Sequence, residues 1–161
     1  MNPVTFGPSA ANENERRREV AIFGHILTVG IERVGPSQTS DAELHLQTNA
    51  LIDTGASDVC IDYRLAEQLG LKMVSQTRVG VVGSTAPAAI YMGRLKVPEI
   101  GFDRVMPLYA LKLKHPSHEV LLGRSFLQSY VVTFNGPSGM FHFAGPAAHE
   151  PLSAIEDDFA T

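Results

Sequence analysis

The chain has 161 residues, enough for one domain with additional terminal segments, and its 13 Lys and Arg against 17 Asp and Glu give a net charge of -4. That charge excludes a global basic field that would attract nucleic acid, and no apolar stretch approaches the length that spans a bilayer. We therefore expect neither a nucleic-acid nor a membrane partner for what has the composition of an ordinary globular protein, 44% hydrophobic and 19% charged.

The cysteine content and the first residues bear on the cellular compartment. Cys60 is the single cysteine, so no internal disulfide can form and packing alone must hold the fold. The first ten residues lack the basic start and the apolar run of a secretion signal. These two features lead us to expect a cytoplasmic protein.

The polar N-terminal segment, residues 1–18, is rich in Asn, Glu and Arg and shows almost no hydrophobic periodicity. This composition predicts a flexible leader that precedes the folded domain. Its basic run, residues 16–18, lies among Glu13, Glu15 and Glu19, which favours a solvated, self-paired segment over a binding patch.

The segments that follow predict a mainly β domain over residues 19–144. Residues 19–34 are rich in β-branched side chains and predict one long strand or a hairpin. A short strand at 44–47 is expected to end in a turn at Thr48 and Asn49, before residues 50–52. Further strands are predicted at 77–82, 89–97, 104–113, 130–134 and 139–143.

Helix signals are few. Asp62 can cap a short helix that runs through Leu69 and stops at Gly70. A second short helix is predicted at 124–129, and Pro, Ala and acidic residues predict a flexible acidic tail at 145–161.

The most informative segment is residues 50–57, Ala-Leu-Ile-Asp-Thr-Gly-Ala-Ser. An apolar strand delivers Asp53, Thr54 and Gly55 into a tight turn. Acid peptide hydrolysis needs a carboxylate at the end of a rigid element, beside a small residue that lets the substrate approach. A hydroxyl next to it can brace the loop by hydrogen bonding. Taken alone, the tripeptide is also compatible with an ordinary turn after a buried strand.

Two later blocks change this interpretation. Residues 79–85, Val-Gly-Val-Val-Gly-Ser-Thr, predict a glycine-hinged hairpin, and residues 120–127, Val-Leu-Leu-Gly-Arg-Ser-Phe-Leu, predict an apolar strand that leads into a short helix. In order, spacing and flanking hydrophobicity the three blocks resemble the retropepsin family, which comprises retroviral and retroelement aspartic proteases and their single-domain cellular relatives. The resemblance extends over residues 20–144.

The resemblance implies a retropepsin-like acid protease fold, a closed β-barrel-like domain with one or two short helices, assembled as a C2 homodimer whose sheet uses terminal strands such as residues 140–143. It implies that Asp53 is the catalytic carboxylate, that Thr54 locks the loop against its symmetry mate, and that Gly55 borders the substrate backbone. The implied substrate-binding residues are Ala56, Ser57 and Asp58 after the catalytic triplet and Val82, Gly83, Ser84 and Thr85 at the tip of a flap. Gly123 and Arg124 are implied to support the site from behind.

One departure from the family pattern concerns Arg124. Retroviral members commonly carry an acidic residue two places after the glycine, and that residue pairs with the arginine. Here Ser57 holds the position and the acid comes at Asp58. Either Asp58 takes the pairing by a local shift, or Arg124 has another partner. The segment between the first strand and Ala50 also looks longer than in the viral enzymes. A difference from those enzymes in the substrate cleft or at the dimer edge is therefore left open.

The predicted chemistry requires two carboxylates that share one proton, because like charges about 3 Å apart cannot both ionise. The ionised member activates a water and the protonated member polarises the scissile carbonyl. Asp58 and Asp62 are too near Asp53 in sequence and Asp103 lacks the hydroxyl-Gly context, so the partner is expected to be Asp53 of a second chain.

The function predicted from the sequence is therefore aspartic endopeptidase activity on extended polypeptides, without a cofactor. The alternative is a retropepsin-fold dimerisation or peptide-binding module that has no catalytic activity. His115 and His118 flank a loop and show no metal-ligand pattern, and no metal is expected. Cys60 is expected to be a packed small hydrophobe rather than a nucleophile.

Overall fold

The computed structural model describes residues 3–35, 45–81, 83–113 and 115–145, which form a mainly β protein. The strands are β1 (Val4–Phe6), β2 (Ile26–Arg33), β3 (His45–Ile52), β4 (Cys60–Asp62), β5 (Lys72–Val81), β6 (Ser84–Val97), β7 (Phe102–Leu111), β8 (Val120–Leu122), β9 (Val131–Asn135) and β10 (Met140–Ala144). The helices are α1 (Glu13–Phe23), α2 (Tyr63–Gln68) and α3 (Arg124–Leu127), with a 3-10 turn at Pro98–Ile100.

Six strands close into a barrel in the order β2-β3-β8-β4-β7-β6, because β6 pairs back onto β2. The β3–β8 and β4–β7 pairs are parallel and the other pairs are antiparallel. Among the described strands, β5 pairs with β6 alone and extends this sheet outside the ring. The prediction of a closed, mainly β domain is therefore confirmed. Apolar side chains that alternate along the strands fill the barrel, among them Val29, Ile31, Ala50, Ile61, Leu95, Leu108, Val120 and Leu122.

A second sheet of three strands, in the order β1-β10-β9, lies beside the barrel. Its inner face is aromatic: the ring of Phe6 lies 5.5 Å from that of Phe141 and 5.6 Å from that of Phe143. Phe143 in turn lies 6.1 Å from Phe126 on α3, so the sheet packs on the helix that follows β8.

The prediction that residues 1–18 form a leader without regular structure is wrong for the described residues of this segment, which contain β1 and the start of α1. The side chain of Asn12 caps α1 by accepting a hydrogen bond from the backbone N–H of Glu15. None of the α1 residues is buried, so the helix has no apolar periodicity for the sequence to reveal. β1 is only three residues long and depends on Phe6 for its packing.

Two further differences concern β2 and β3. Residues 19–34 do not form one strand or a hairpin: α1 continues to Phe23 and ends at Gly24, whose φ of +78° favours glycine, and β2 follows.

No turn interrupts β3 at Thr48 and Asn49, since β2 pairs with β3 from His45 to Leu51. Side chains of both residues find partners in a distant segment, Thr48 Oγ1 donating to Glu119 Oε2 and Asn49 Nδ2 to the Ser117 carbonyl.

The remaining predictions are closer to the structure. α2 begins after Asp62, whose carboxylate accepts from the N–H of Arg64 (3.0 Å), and Gly70 follows it with a φ of +57°. α3 begins at Arg124 as predicted and ends two residues early, at Leu127. The predicted tail lies outside the described residues from 146 onward. In the part of the chain that the structure describes, no helix is long and apolar enough to cross a membrane.

We expect Phe6→Ala to lower the free energy of unfolding by about 2 kcal/mol, because it removes a partly buried ring from the aromatic face of the three-stranded sheet. Ile22→Ala, on the solvent side of α1, is the matched control and should change stability by less than about 0.5 kcal/mol. Urea unfolding of both variants measures the difference. Equal stability of the Phe6 variant and the wild type would mean that the N-terminal segment lies apart from the fold.

Candidate active site

Asp53 lies where three strands meet. It follows the last residue of β3 directly, and the chain returns to the barrel as β4 after a loop, residues 53–59. β8 runs between β3 and β4 and pairs with both. The N–H of Asp53 donates to the carbonyl of Leu122 at the end of β8 (3.1 Å), which fixes the carboxylate at the mouth of a rigid barrel.

The first turn of the loop orients the carboxylate. The N–H of Gly55 donates to Asp53 Oδ1 (2.9 Å), and the N–H of Ala56 donates to the Asp53 carbonyl (3.2 Å). A Cβ at position 55 would lie 3.1 Å from Oδ1, so glycine suits the close approach. Oδ2 of Asp53 accepts no hydrogen bond from the residues that the structure describes, and Asp53 is partly exposed. One carboxylate oxygen is therefore available to a water, a substrate or a second carboxyl group.

Gly123 supports the loop from below. The next two residues donate their N–H groups to the loop, Arg124 to the Ala56 carbonyl (3.0 Å) and Ser125 to the Ser57 carbonyl (2.9 Å). A Cβ at position 123 would lie 2.2 Å from the Asp58 carbonyl oxygen and 2.8 Å from that of Ala56. Only glycine allows this contact.

Arg124 has a partner other than Asp58, which decides between the two alternatives left open by the sequence. Its Nη1 donates to the carbonyl of Thr54 (2.9 Å) and to that of Gly55 (3.2 Å). Asp58 instead accepts a hydrogen bond from the hydroxyl of Ser57 (2.8 Å). Among the described residues, no ion pair joins Asp58 to Arg124. The guanidinium thus braces the turn that follows Asp53 through its backbone.

Thr54 is exposed, and its hydroxyl makes no hydrogen bond to the described residues of the same chain. The role implied for Thr54, a lock against the symmetry mate, stays a prediction. Its position at the outer surface of the loop leaves it accessible to a second copy.

The hairpin of β5 and β6, predicted to be a flap, extends the barrel sheet outside the ring. Val81 lies opposite Ser84, so the connection is the two residues 82 and 83, and Gly83 has a φ of +71°. Val82 lies outside the described residues. The guanidinium of Arg78 donates to the hydroxyl of Thr85 across the hairpin (2.9 and 3.0 Å), which ties the two strands near the tip.

A cleft of about 840 Å³ separates the loop from the underside of β5. Of the predicted site residues, those that line the cleft are Asp53, Gly55, Ala56, Ser57, Asp58 and Arg124. Thr54, Gly83, Ser84, Thr85 and Gly123 are not part of its lining. The loop half of the predicted site is therefore brought together, whereas the hairpin contributes residues 77–81 rather than its tip.

The apolar wall of the cleft contains Leu111, Leu113 and Tyr109, which the sequence analysis did not assign to the site. They alternate at every second position along and just beyond β7, so they share one side of an extended segment. That alternation is the signal in the sequence, but many strands carry it. Only the pairing of β4 with β7 places this strand beside the loop of residues 53–59.

Burial and nearby carboxylates favour the uncharged forms of two side chains that line the cleft, Cys60 and Tyr109. Burial, followed by the nearby charges of Asp58 and Asp53, raises the pKa of Cys60 to about 11. Burial also raises the pKa of Tyr109, with Asp58 adding to the effect. A neutral, buried thiol is a poor nucleophile, which supports the prediction that Cys60 packs as a small hydrophobe.

The two histidines of the loop before β8 stack on each other, with ring centroids 4.3 Å apart, and the Ser117 hydroxyl contacts Nδ1 of both His115 (2.7 Å) and His118 (3.0 Å). Burial and then the neighbouring His115 lower the pKa of His118, while Asp53 acts in the opposite direction. No group of three or more His, Cys, Asp or Glu residues is placed to hold a metal ion within the described ranges.

Comparison with known proteins gives one family and two structures. The family model described as "gag-polyprotein putative aspartyl protease" matches residues 44–129. The solution structure of simian foamy virus (mac) protease is 16% identical with a TM-score of 0.41, and the match covers 63% of this chain and 92% of that protein. The crystal structure of a retropepsin-like aspartic protease from Rickettsia conorii is 17% identical with a TM-score of 0.44, and it covers 74% and 91%. Among curated protein sequences none matches significantly.

Gly123→Ala should lower the free energy of unfolding by about 3 kcal/mol or more, because the added methyl group forces the loop carbonyls of Ala56 and Asp58 away from β8. Gly136→Ala is the control: a Cβ there meets nothing within 4 Å, and we expect a change below about 0.5 kcal/mol. Chemical denaturation compares the two. Similar stability of both variants would contradict the close packing at Gly123.

The burial of His118 predicts that stability falls in mild acid. The folded-state pKa of His118 lies below its usual 6.5, so the unfolded chain binds more protons as pH falls through that value, and the free energy of unfolding decreases. We expect the decrease between about pH 7 and pH 5, where most carboxyl groups stay ionised. His118→Gln should show a smaller decrease in denaturant unfolding followed across this range. An unchanged slope in the variant would exclude His118 as a source.

Proposed function

Because this chain belongs to the gag-polyprotein aspartyl protease family, we propose that it is an aspartic endopeptidase whose catalytic pair consists of Asp53 from two copies of the chain. The family predicted from the three sequence blocks is thereby confirmed. The observation that carries the proposal is the Asp53 carboxylate, held by the Gly55 N–H at the end of β3 and open to a cleft through its other oxygen.

The surroundings of the other described aspartates that could partner Asp53 support a site shared between two chains. Asp62 is fully buried and forms an ion pair with Arg64, and Asp103 is paired with Arg94 on the outside of β7. Asp58 lies in the cleft but belongs to the loop that follows Asp53, and the Ser57 hydroxyl holds it. A second Asp53, related by a two-fold axis, supplies an equivalent carboxylate in an equivalent turn.

In this mechanism two carboxyl groups about 3 Å apart hold a single proton between them. The ionised group removes a proton from a water, which attacks the scissile carbonyl, while the protonated group donates to the carbonyl oxygen. The tetrahedral intermediate then collapses with protonation of the leaving nitrogen, and no covalent bond to the enzyme forms. Arg124 contributes by holding the carbonyls of Thr54 and Gly55, so that the loop keeps the carboxylate in place.

The substrate proposed for this site is a polypeptide in extended conformation. The cleft has the floor of the catalytic loop on one side and β5 on the other, and both offer backbone groups to a strand laid between them. The side-chain pockets are largely apolar, with Leu111, Leu113 and Leu121 on one wall. The tip of the hairpin, Gly83 to Thr85, is proposed to close over the bound peptide. The cytoplasmic location stays a proposal that rests on composition.

The variant that tests the function is Asp53→Asn, which preserves shape but removes the ionisable group. We expect cleavage of a denatured protein substrate, assayed between about pH 3.5 and 7, to drop at least about a thousandfold while the circular dichroism spectrum is retained. Asp103→Asn, which changes an exposed acid on the barrel exterior, is the matched control and should cleave at the wild-type rate.

The same variant tests the sharing of the site. Wild-type protein mixed with excess Asp53→Asn should lose activity, because mixed dimers carry one ionisable Asp53, and activity per chain should fall on dilution. Comparable cleavage by folded Asp53→Asn would contradict the assignment of the catalytic residue. A folded dimer that cleaves nothing at any pH would favour the binding module instead.

A further inference from the structure

A second cleft, of about 420 Å³, is bounded by residues 7–9, by α1 and by the barrel strands β2 and β3. Small-molecule sites commonly have volumes of about 300–1,000 Å³, so this cleft is large enough for a small ligand or for one long side chain. None of its lining residues also lines the cleft at Asp53. It is therefore a separate feature of the protein, which the proposed catalysis does not use.

The floor of this second cleft is the outer surface of the barrel. Leu27 and Val29 on β2 are buried inside the barrel, so the alternating residues Ile26 and Thr28 face outward. Thr28 lies opposite Asn49 of β3, and both residues line the cleft. The floor thus combines an apolar side chain with a hydroxyl group and an amide.

One wall of the second cleft is formed by the last turns of α1. Glu19 and Phe23 both line the cleft, and because they are four residues apart their side chains are neighbours on one face of the helix. α1 ends at Gly24, whose φ is +78°, and a Cβ there would collide with the side chain of Leu51 on β3. Glycine at this position lets the helix end close against the barrel, which brings the carboxylate and the ring to the cleft.

The polar groups of the second cleft are mainly open acceptors. Glu19 is the one charged residue of the lining, and it takes part in no ion pair with the residues that the structure describes. The Nδ2 group of Asn49 donates to the Ser117 carbonyl, so its Oδ1 is the atom left for a ligand. The hydroxyl groups of Ser9 and Thr28 likewise form no hydrogen bond within the described ranges. The cleft therefore offers a carboxylate and several neutral oxygens without a cation.

These groups discriminate between classes of ligand. The Glu19 carboxylate would repel an anion, and an uncharged apolar molecule would cover the polar groups without giving them a hydrogen-bond partner. A cation with several N–H donors satisfies both the charge and the open acceptors. Guanidinium fits the helix wall better than ammonium, because its planar fork pairs with a carboxylate through two hydrogen bonds and its face stacks on an aromatic ring.

We propose that the second cleft binds a guanidinium group carried on an aliphatic stem, which is either the side chain of an arginine in another polypeptide or a small free guanidine. The head group pairs with the Glu19 carboxylate and stacks on the ring of Phe23, which is 39% exposed and so accessible to a ligand. Its remaining N–H groups donate to the oxygens of Thr28 and Asn49, and the stem packs on Ile26.

The test titrates N-acetyl-arginine methylamide into the full chain and follows the backbone amide resonances of isotope-labelled protein by NMR. We expect saturable shifts at residues 7–9, at the end of α1 and along β2, and no comparable shifts in the loop of residues 53–59. The matched citrulline derivative has the same shape without the charge and should bind at least about tenfold more weakly. The lysine derivative, a point charge without the planar fork, should bind at least about fivefold more weakly.

Variants of the helix wall identify the groups that bind. Glu19→Gln should raise the Kd of the arginine derivative by about tenfold, because it replaces a charge-assisted pair by neutral hydrogen bonds. Glu13→Gln removes the same charge from an exposed position of α1 outside the cleft, and it should leave the Kd unchanged. Phe23→Leu keeps an apolar side chain but loses the ring, and should raise the Kd by about two- to fivefold. The dispersion of the amide resonances checks that each variant is folded.

A parallel titration with N-butylguanidinium separates the two sources of the head group. Tighter binding of the arginine derivative supports an arginine of a polypeptide, and equal or tighter binding of N-butylguanidinium supports a small guanidine. The site is rejected if neither probe gives saturable shifts up to about 10 mM. Equal binding of the citrulline or lysine derivative, an unchanged Kd in Glu19→Gln, or shifts centred on residues 53–59 reject it equally. No peptide is cleaved in these titrations, so the result holds whether or not the protein is a protease.

Discussion

The contact between Gly123 and the loop that carries Asp53 is the constraint on which the rest of the site depends. The loop of residues 53–59 is irregular backbone between two barrel strands, and its carbonyl groups need donors. The segment after β8 supplies them through the N–H groups of Arg124 and Ser125, at a distance that a side chain on residue 123 would prevent. The position of Asp53 follows from this contact, since its own N–H bonds to the last residue of β8.

Arg124 donates to backbone carbonyls and Asp58 accepts from Ser57, and this choice of partners affects the cleft as well as the loop. A guanidinium that donates to two backbone carbonyls fixes the turn without a carboxylate, so Ser57 can stand where an acid is common in retroviral members. Asp58 is then held only by the Ser57 hydroxyl and lines the cleft. Its charge contributes to the raised pKa values of Cys60 and Tyr109, so the inner wall combines one carboxylate with neutral and apolar groups.

The sequence predicted those helix ends and turns that depend on the residue type at a single position. The Asp62 cap and Gly70 marked α2, and Gly83 marked the hairpin, because each position requires its residue type for a backbone reason. Thr48 and Asn49 were taken for a turn because their preference for turns is overridden by partners about 70 residues away, which no local pattern contains. α1 escaped prediction because it buries no side chain. The family pattern indicated that Arg124 needed a partner, but the identity of that partner depends on the path of the loop.

The three-stranded sheet links the termini of the described domain to the turn that carries Asp53. β10 lies in the middle of this sheet, paired with β1 on one side and with β9 on the other, so the strands nearest the ends of the domain pair with each other. Phe143 on β10 packs against Phe126 on α3, and the N–H of Phe126 donates to the carbonyl of Gly123. The packing of this sheet and the support of the loop that follows Asp53 therefore share one short segment, residues 123–126. A change that loosens this segment would weaken the packing of the sheet and misplace the Asp53 carboxylate together.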